Sequence, residues 1–295
     1  MTRFILLALF GLVAQLVDGS LGMAYGLTST SLLLTIGIVP AVASASVHLA
    51  EVGTTLASGV SHWKFGNVDW RAVRWLAIPG GVGAFTGAVF LSSISAAVIG
   101  PFIAVFLFLL GCYLLVRFAI LGGKITVKPG TLSGRFLLPL GLGAGFLDAV
   151  GGGGWGPIST PTLLASGKME PRKAIGTSST SEFVVAVCAS AGFLIALDTS
   201  VLALPVVGAL LLGGVIAAPI AAWLSRRLHP RLLGSGVGGL IILTNGRTLL
   251  AALGVESEVQ MLAIAAVAVV WIAALVIAIR SVRADGGRLA SAPAD

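Results

Sequence analysis

The chain has 295 residues, of which 57% are hydrophobic and only 10% charged, and its mean hydropathy is +1.06. That balance excludes a soluble globular domain and fits an integral membrane protein, because the apolar runs recur at membrane-spanning length. The net charge of +7 belongs to the loops and does not point to nucleic acid.

Breaks at charge, Gly and Pro clusters divide the chain into apolar segments at 3–18, 20–37, 40–62, 72–94, 97–120, 135–149, 154–167, 172–196, 199–225, 232–253 and 258–281. Segments 3–18 and 20–37 are each expected to be too short to cross comfortably, given 1.5 Å per residue and a hydrocarbon core of about 30 Å. They read as a hairpin around Asp18, and 135–149 with 154–167 reads as a second hairpin around Asp148. The second break is the stronger signal. Gly151, Gly152, Gly153 and Gly154 run together, with Pro157 just beyond, and such a run wrecks an apolar helix. Within a bilayer, irregular backbone survives only where protein or a cavity surrounds it. A broken helix with an acid at its tip is how transporters build a midplane site.

The two hairpins are copies. Asp18, Gly22, Gly26, Ser29, Thr30, Leu33, Leu34 and Gly37 recur as Asp148, Gly152, Gly156, Ser159, Thr160, Leu163, Leu164 and Gly167. After one inserted residue, Pro40 pairs with Pro171, Ala43 with Ala174, Glu51 with Glu182 and Asn67 with Asp198. Arg3 before an apolar run has the look of a signal peptide, but cleavage would destroy the first copy. Repeat 1 is expected over 1–120 (hairpin 3–37) and a cytoplasmic linker over 121–134. Repeat 2 is expected over 135–283 (hairpin 135–167), with a disordered tail at 284–295. Each repeat is a broken-helix hairpin plus three transmembrane helices.

All but two of the 18 Lys and Arg fall into five clusters. These are Lys64/Arg71/Arg74, Arg117/Lys124/Lys128/Arg135, Lys168/Arg172/Lys173, Arg226/Arg227/Arg231 and Arg280/Arg283/Arg288. Placing every cluster in the cytoplasm requires each hairpin to return to its starting side and puts the C-terminus inside. Equivalent loops then carry opposite bias, so the repeats are expected to be inverted. The fold class is an all-α polytopic membrane protein of two inverted-topology repeats.

Ionisable residues in apolar spans are functional candidates by default. Asp18, His48, Glu51, Asp148 and Glu182 are the candidate proton carriers, since only a protonated carboxyl tolerates an anion beside it. Ser44, His48, Glu51 and Thr55 share one helical face. Candidate substrate contacts are Gly22, Gly152, Gly153 and Gly154 at half-helix N-termini, the hydroxyls of Ser29, Thr30, Ser159, Thr160, Thr177, Ser178 and Ser179, and the cation Arg247. Plainer roles compete: the two Asp as N-caps, His48 with Glu51 as a structural pair, Arg247 snorkelling to the surface, the hydroxyl run as interhelical bonding. Cys112 and Cys188 read as helix-packing residues rather than a disulfide. Enzymatic readings are weak. His48-x-x-Glu51 lacks the second histidine of a zinc helix, Ser61-His62 has no orienting acid, and no P-loop is present.

With these motifs laid out, the chain resembles the sulfite exporter (TauE/SafE) family of bacterial membrane transporters over roughly residues 5–281. Gly141-x-Gly143-x-Gly145, the four-glycine run, Pro157 and Ala174-x-Gly176-Thr177-Ser178 carry the likeness, as do 208–219 and 243–250. The first half departs from it, with Gly19-Ser20-Leu21-Gly22-Met23-Ala24-Tyr25-Gly26 in place of a multi-glycine run. The resemblance implies transport of a sulfur-containing anion, such as sulfite or an organosulfonate like sulfoacetate, across the cytoplasmic membrane. Alternating access with proton coupling is the expected mechanism, with no cofactor and no nucleic acid. The expected partners are a small anion, protons and the lipid bilayer, and a homo-oligomer is left open. A passive anion channel, or a metal-ion transporter using His48, Glu51 and Asp18, are the alternatives.

Overall fold

The structure, a computed structural model, describes residues 2–121, 130–198, 200, 202–224 and 230–290. Lys124, Lys128, Arg226, Arg227, most of the expected linker and residues 291–295 of the expected tail lie outside the described residues, as do the side chains of Arg283 and Arg288. Every regular element among the described residues is helical. In order these are α1 (Thr2–Leu21), α2 (Tyr25–Thr35), α3 (Pro40–Lys64), α4 (Trp70–Ser93) and α5 (Ala96–Leu115), which runs into a π-helical stretch at Val116–Ile120. Then follow α6 (Gly134–Gly151), α7 (Trp155–Ala165), α8 (Pro171–Ala196), α9 (Leu204–Leu224), α10 (Pro230–Ala252) and α11 (Ser257–Ala290).

Local chemistry sets several of these starts. Pro40 and Pro171 open α3 and α8, where a missing N–H costs nothing. Asp69 caps α4, its carboxylate accepting from the backbone N–H of Arg71 at 3.0 Å and Ala72 at 3.1 Å. Among the described residues, six helices are long and apolar enough to cross a membrane: Phe4–Leu21, Trp70–Ser93, Ala96–Ile120, Pro171–Ala196, Leu204–Leu224 and Ser257–Val282. The protein is a multi-pass, all-α membrane protein. α3 carries a long polar face: Ser44, Ser46, His48, Glu51, Thr54, Thr55, Ser58 and His62 are all buried along it.

Counterpart elements make counterpart contacts. α1 packs on α9 as α6 packs on α4, while α3 meets its counterpart α8 and α5 meets its counterpart α10. Small residues permit the approach. A side chain added at Gly145 would run into the Gly80 carbonyl, and one at Gly213 into the Ala8 carbonyl.

Two expectations need correction. The first break lies at Gly22–Ala24, four residues past Asp18, so α1 has 20 residues and is long enough to span. Only α2 and α7, at 11 residues each, are half-length. The cause is that Asp18 stays inside its helix and reaches forward rather than ending it. Second, four helices follow the second hairpin, not three. α10 is the counterpart of α5, and α11 has none in the first half; its spanning window is only 6% buried. The backbone of α11 is described as far as Ala290.

Candidate functional site

Both breaks are built the same way. The N–H of Gly22 bonds the Asp18 carbonyl at 2.5 Å and that of Gly152 bonds the Asp148 carbonyl at 2.7 Å. Both glycines have φ of 69°, the left-handed turn that ends a helix without a Cβ penalty. Each aspartate then reaches over the break. Asp18 Oδ1 accepts from the N–H of Tyr25 at 3.3 Å, and Asp148 Oδ1 from that of Trp155 at 2.8 Å. The half-helices α2 and α7 therefore begin on a carboxylate that faces their positive ends.

The two breaks cross each other. Gly153, at φ 151°, lies against the backbone of Gly26 and Leu27, and Gly156 against Met23, with no room for a side chain at either glycine. Two hydroxyls lock the crossing reciprocally. Thr160 Oγ1 donates to the Gly22 carbonyl at 2.6 Å, and Thr30 Oγ1 donates to the Gly152 carbonyl. Carbonyls freed by the breaks are thus satisfied by the opposite half, as an apolar surround demands.

α3 brings its polar face to the second break. Ser44 Oγ donates to the Ala149 carbonyl at 2.6 Å. His48 Nδ1 lies 2.9 Å from the Ser44 carbonyl, which can only accept, so Nδ1 carries a hydrogen. The other ring nitrogen, Nε2, lies 3.1 Å from Asp148 Oδ2. Glu51 Oε2 stands 4.0 Å from the imidazole and has no hydrogen-bond partner. Its Oε1 faces the crossing, where a Cβ on Gly26 would come within 2.9 Å of it. Phe193 closes the imidazole edge-on at 6.0 Å between ring centres. Asp18, Glu51, Asp148 and Glu182 lie close enough for their charges to act on one another, and none is more than 6% exposed.

The five candidate proton carriers are therefore gathered in one buried cluster. The candidate anion contacts fare differently. The half-helix N-termini are taken by Asp18 and Asp148. Thr30 and Thr160 are spent on the glycine carbonyls, Ser159 pairs with Ser178 at 2.6 Å and Ser179 with Ser58 at 2.8 Å. Thr177 Oγ1 accepts from the N–H of Asp69 at 3.0 Å. Of these hydroxyls only Ser29 is buried without a partner. Arg247 is exposed and lines an outer hollow with Ser257, Gln260, Met261 and Ile264, rather than joining the cluster. Ser61 bonds the Ala57 carbonyl and His62 pairs with Asn67, so these neighbours form no catalytic dyad.

Two participants escape a sequence reading. Tyr25 and Trp155 occupy equivalent positions and anchor the starts of α2 and α7. The Tyr25 hydroxyl donates to the Leu210 carbonyl at 3.1 Å, and Trp155 Nε1 to that of Ser178 at 3.0 Å. The offset that matches Asp18 to Asp148 also matches these two aromatics, a signal hidden by their different identities.

Known proteins place the chain. A "Probable membrane transporter protein YtnM" from Bacillus subtilis (strain 168) is 54% identical over 276 residues, covering 93% of this chain and 92% of that one. No solved structure matches. The family described as "Sulfite exporter TauE/SafE" matches residues 7–248, and the chain belongs to that family of membrane transporters.

Proposed function

We propose that the protein is a secondary transporter for a small sulfur-containing anion, sulfite or an organosulfonate such as sulfoacetate, working by alternating access with proton coupling. The observation that carries the coupling is the contact between His48 Nε2 and Asp148 Oδ2. With Nδ1 already committed to the Ser44 carbonyl, a neutral imidazole and an ionised carboxylate would meet acceptor to acceptor at 3.1 Å. A proton between them resolves the conflict. The groups facing this pair are Glu51 on the same helix, Asp18 from α1 and Glu182 from α8, with Tyr25 from α2 close to Glu51 and Asp18.

Four carboxylates repel an anion unless protons neutralise them, because like charges in a low-dielectric site interact strongly. Proton loading therefore creates the state that accepts cargo, with Ser29 as its free hydroxyl. The family's description as a sulfite exporter supports a sulfur oxyanion as that cargo. The counterpart contacts of the two halves and the opposite charge of equivalent loops support an inverted repeat in the bacterial cytoplasmic membrane, with the C-terminus inside.

Counterflow tests the reading. Proteoliposomes preloaded with sulfite, sulfate, thiosulfate, taurine or sulfoacetate are to accumulate labelled substrate saturably for one or two of these anions, and faster when both sides are acidified together. Flux without saturation or counterflow would make the protein a channel, and silence for every anion would remove the sulfur assignment.

A further inference from the structure

We infer that the crossing is a divalent transition-metal site, with His48, Glu51 and Asp148 as ligands. One nitrogen of His48 and one oxygen from each of Glu51 and Asp148 lie within 4.8 Å of one another, all buried. A zinc-sized ion with bonds of about 2.0–2.1 Å holds its ligand atoms roughly 3.4 Å apart. His48 Nε2 and Asp148 Oδ2, at 3.1 Å, are already near that spacing, whereas Glu51 Oε2, 4.0 Å from Nδ1, has to swing toward the Nε2 side of the ring.

Three further features mark these as ligands rather than a neutral polar cluster. Glu51 Oε2 is a buried oxygen with no hydrogen-bond partner, in a residue only 1% exposed, and it stands 4.0 Å from Nδ1 of the imidazole. Leaving such an atom unpaired is costly, and a cation removes the cost. Next, His48 gives its Nδ1 hydrogen to a backbone carbonyl, the outer-shell bond that fixes a metal-binding imidazole with Nε2 directed at Asp148. Finally, Asp148 is oriented through Oδ1 by the Trp155 N–H, which leaves Oδ2 facing the histidine.

One imidazole and two carboxylates suit Zn²⁺, Co²⁺ or Mn²⁺ better than the softest or hardest cations. Three protein ligands leave a coordination position open. The site revises the set expected from the sequence: Asp148, from the other half of the chain, stands where Asp18 was expected. The ion and the proton of the proposed function compete for His48 Nε2 and Asp148 Oδ2, so binding is expected to release that proton; the site does not depend on the identity of the anion, and its test contains no transport measurement.

The test is a Co²⁺ titration of the full-length, metal-stripped protein in detergent, followed by visible absorption, with Zn²⁺ displacement by calorimetry. The wild type is expected to bind one equivalent saturably and to develop a Co²⁺ band that Zn²⁺ bleaches. His48→Gln and Asp148→Asn are expected to weaken binding at least tenfold, while His62→Gln, at a second buried histidine, leaves it unchanged. Gel filtration reports whether each variant is folded, and Glu51→Gln replaces any that is not. Absence of saturable binding to the wild type overturns the site. So does binding that survives His48→Gln or that disappears only in His62→Gln.

Discussion

Asp148 has two oxygens with different tasks: Oδ1 caps α7 and Oδ2 meets His48. An Asp148→Asn substitution separates them. The amide oxygen keeps the cap, and the amide nitrogen can donate to His48 Nε2 as a protonated carboxyl would. Thermal stability in detergent is therefore expected to shift by less than about 1 kcal/mol, while counterflow loses its pH dependence. Retention of the pH dependence would reduce Asp148 to a cap. Glu182 offers an independent check, since it lies in the same cluster but on α8. Glu182→Gln is expected to slow counterflow and flatten its pH response, and an unchanged profile would remove that residue from the proton path. The acids were legible from the sequence because charge inside an apolar run is conspicuous. Which hydroxyls remain free was not legible. Thr30 and Thr160 look like ligand donors until their acceptors, glycine carbonyls 122 and 138 residues away, are seen.

At the scale of elements, the crossing depends on backbone meeting backbone. Gly153 combines a φ of 151° with contact against Gly26 and Leu27. A Gly153→Ala variant is expected to lose roughly 3 kcal/mol or more, from strain plus overpacking. Gly143 in α6 has nothing within 4 Å of where a Cβ would stand. Gly143→Ala is expected to gain about 0.5–1 kcal/mol from helix propensity. Thermal unfolding followed by circular dichroism compares the two, and equal effects would mean that the crossing is not tightly packed. The four-glycine run announced the second break. The first was misplaced because Asp18 and Gly19 looked like a stop, whereas the helix continues to Leu21 and turns at Gly22. Ala24, a non-glycine residue with φ of 108°, gave no sign of its conformation in the sequence.

Across the whole molecule, the repeat predicts which loops share a side. In a Cys112→Ala, Cys188→Ala background, Val39→Cys before α3 is expected to react with an impermeant maleimide added to intact cells. Arg71→Cys and Lys168→Cys, in basic loops, are expected to react only after permeabilisation. Labelling of Val39→Cys and Lys168→Cys from the same side would break the inverted arrangement. The pairing of halves was visible as matched residues at a constant offset. The last helix was visible as the apolar segment 258–281, but no matched residues marked it as lying outside the repeat.

The exchanged threonine bonds carry a consequence for how such a chain can exist at all. Each half owns a turn whose exposed carbonyl is satisfied only by a hydroxyl from the other half. Either half inserted alone would hold an unpaired acceptor in hydrocarbon, so neither is a self-sufficient folding unit. The two halves are therefore not independent modules joined by a linker: each supplies the hydroxyl that stands in for the other's missing solvent.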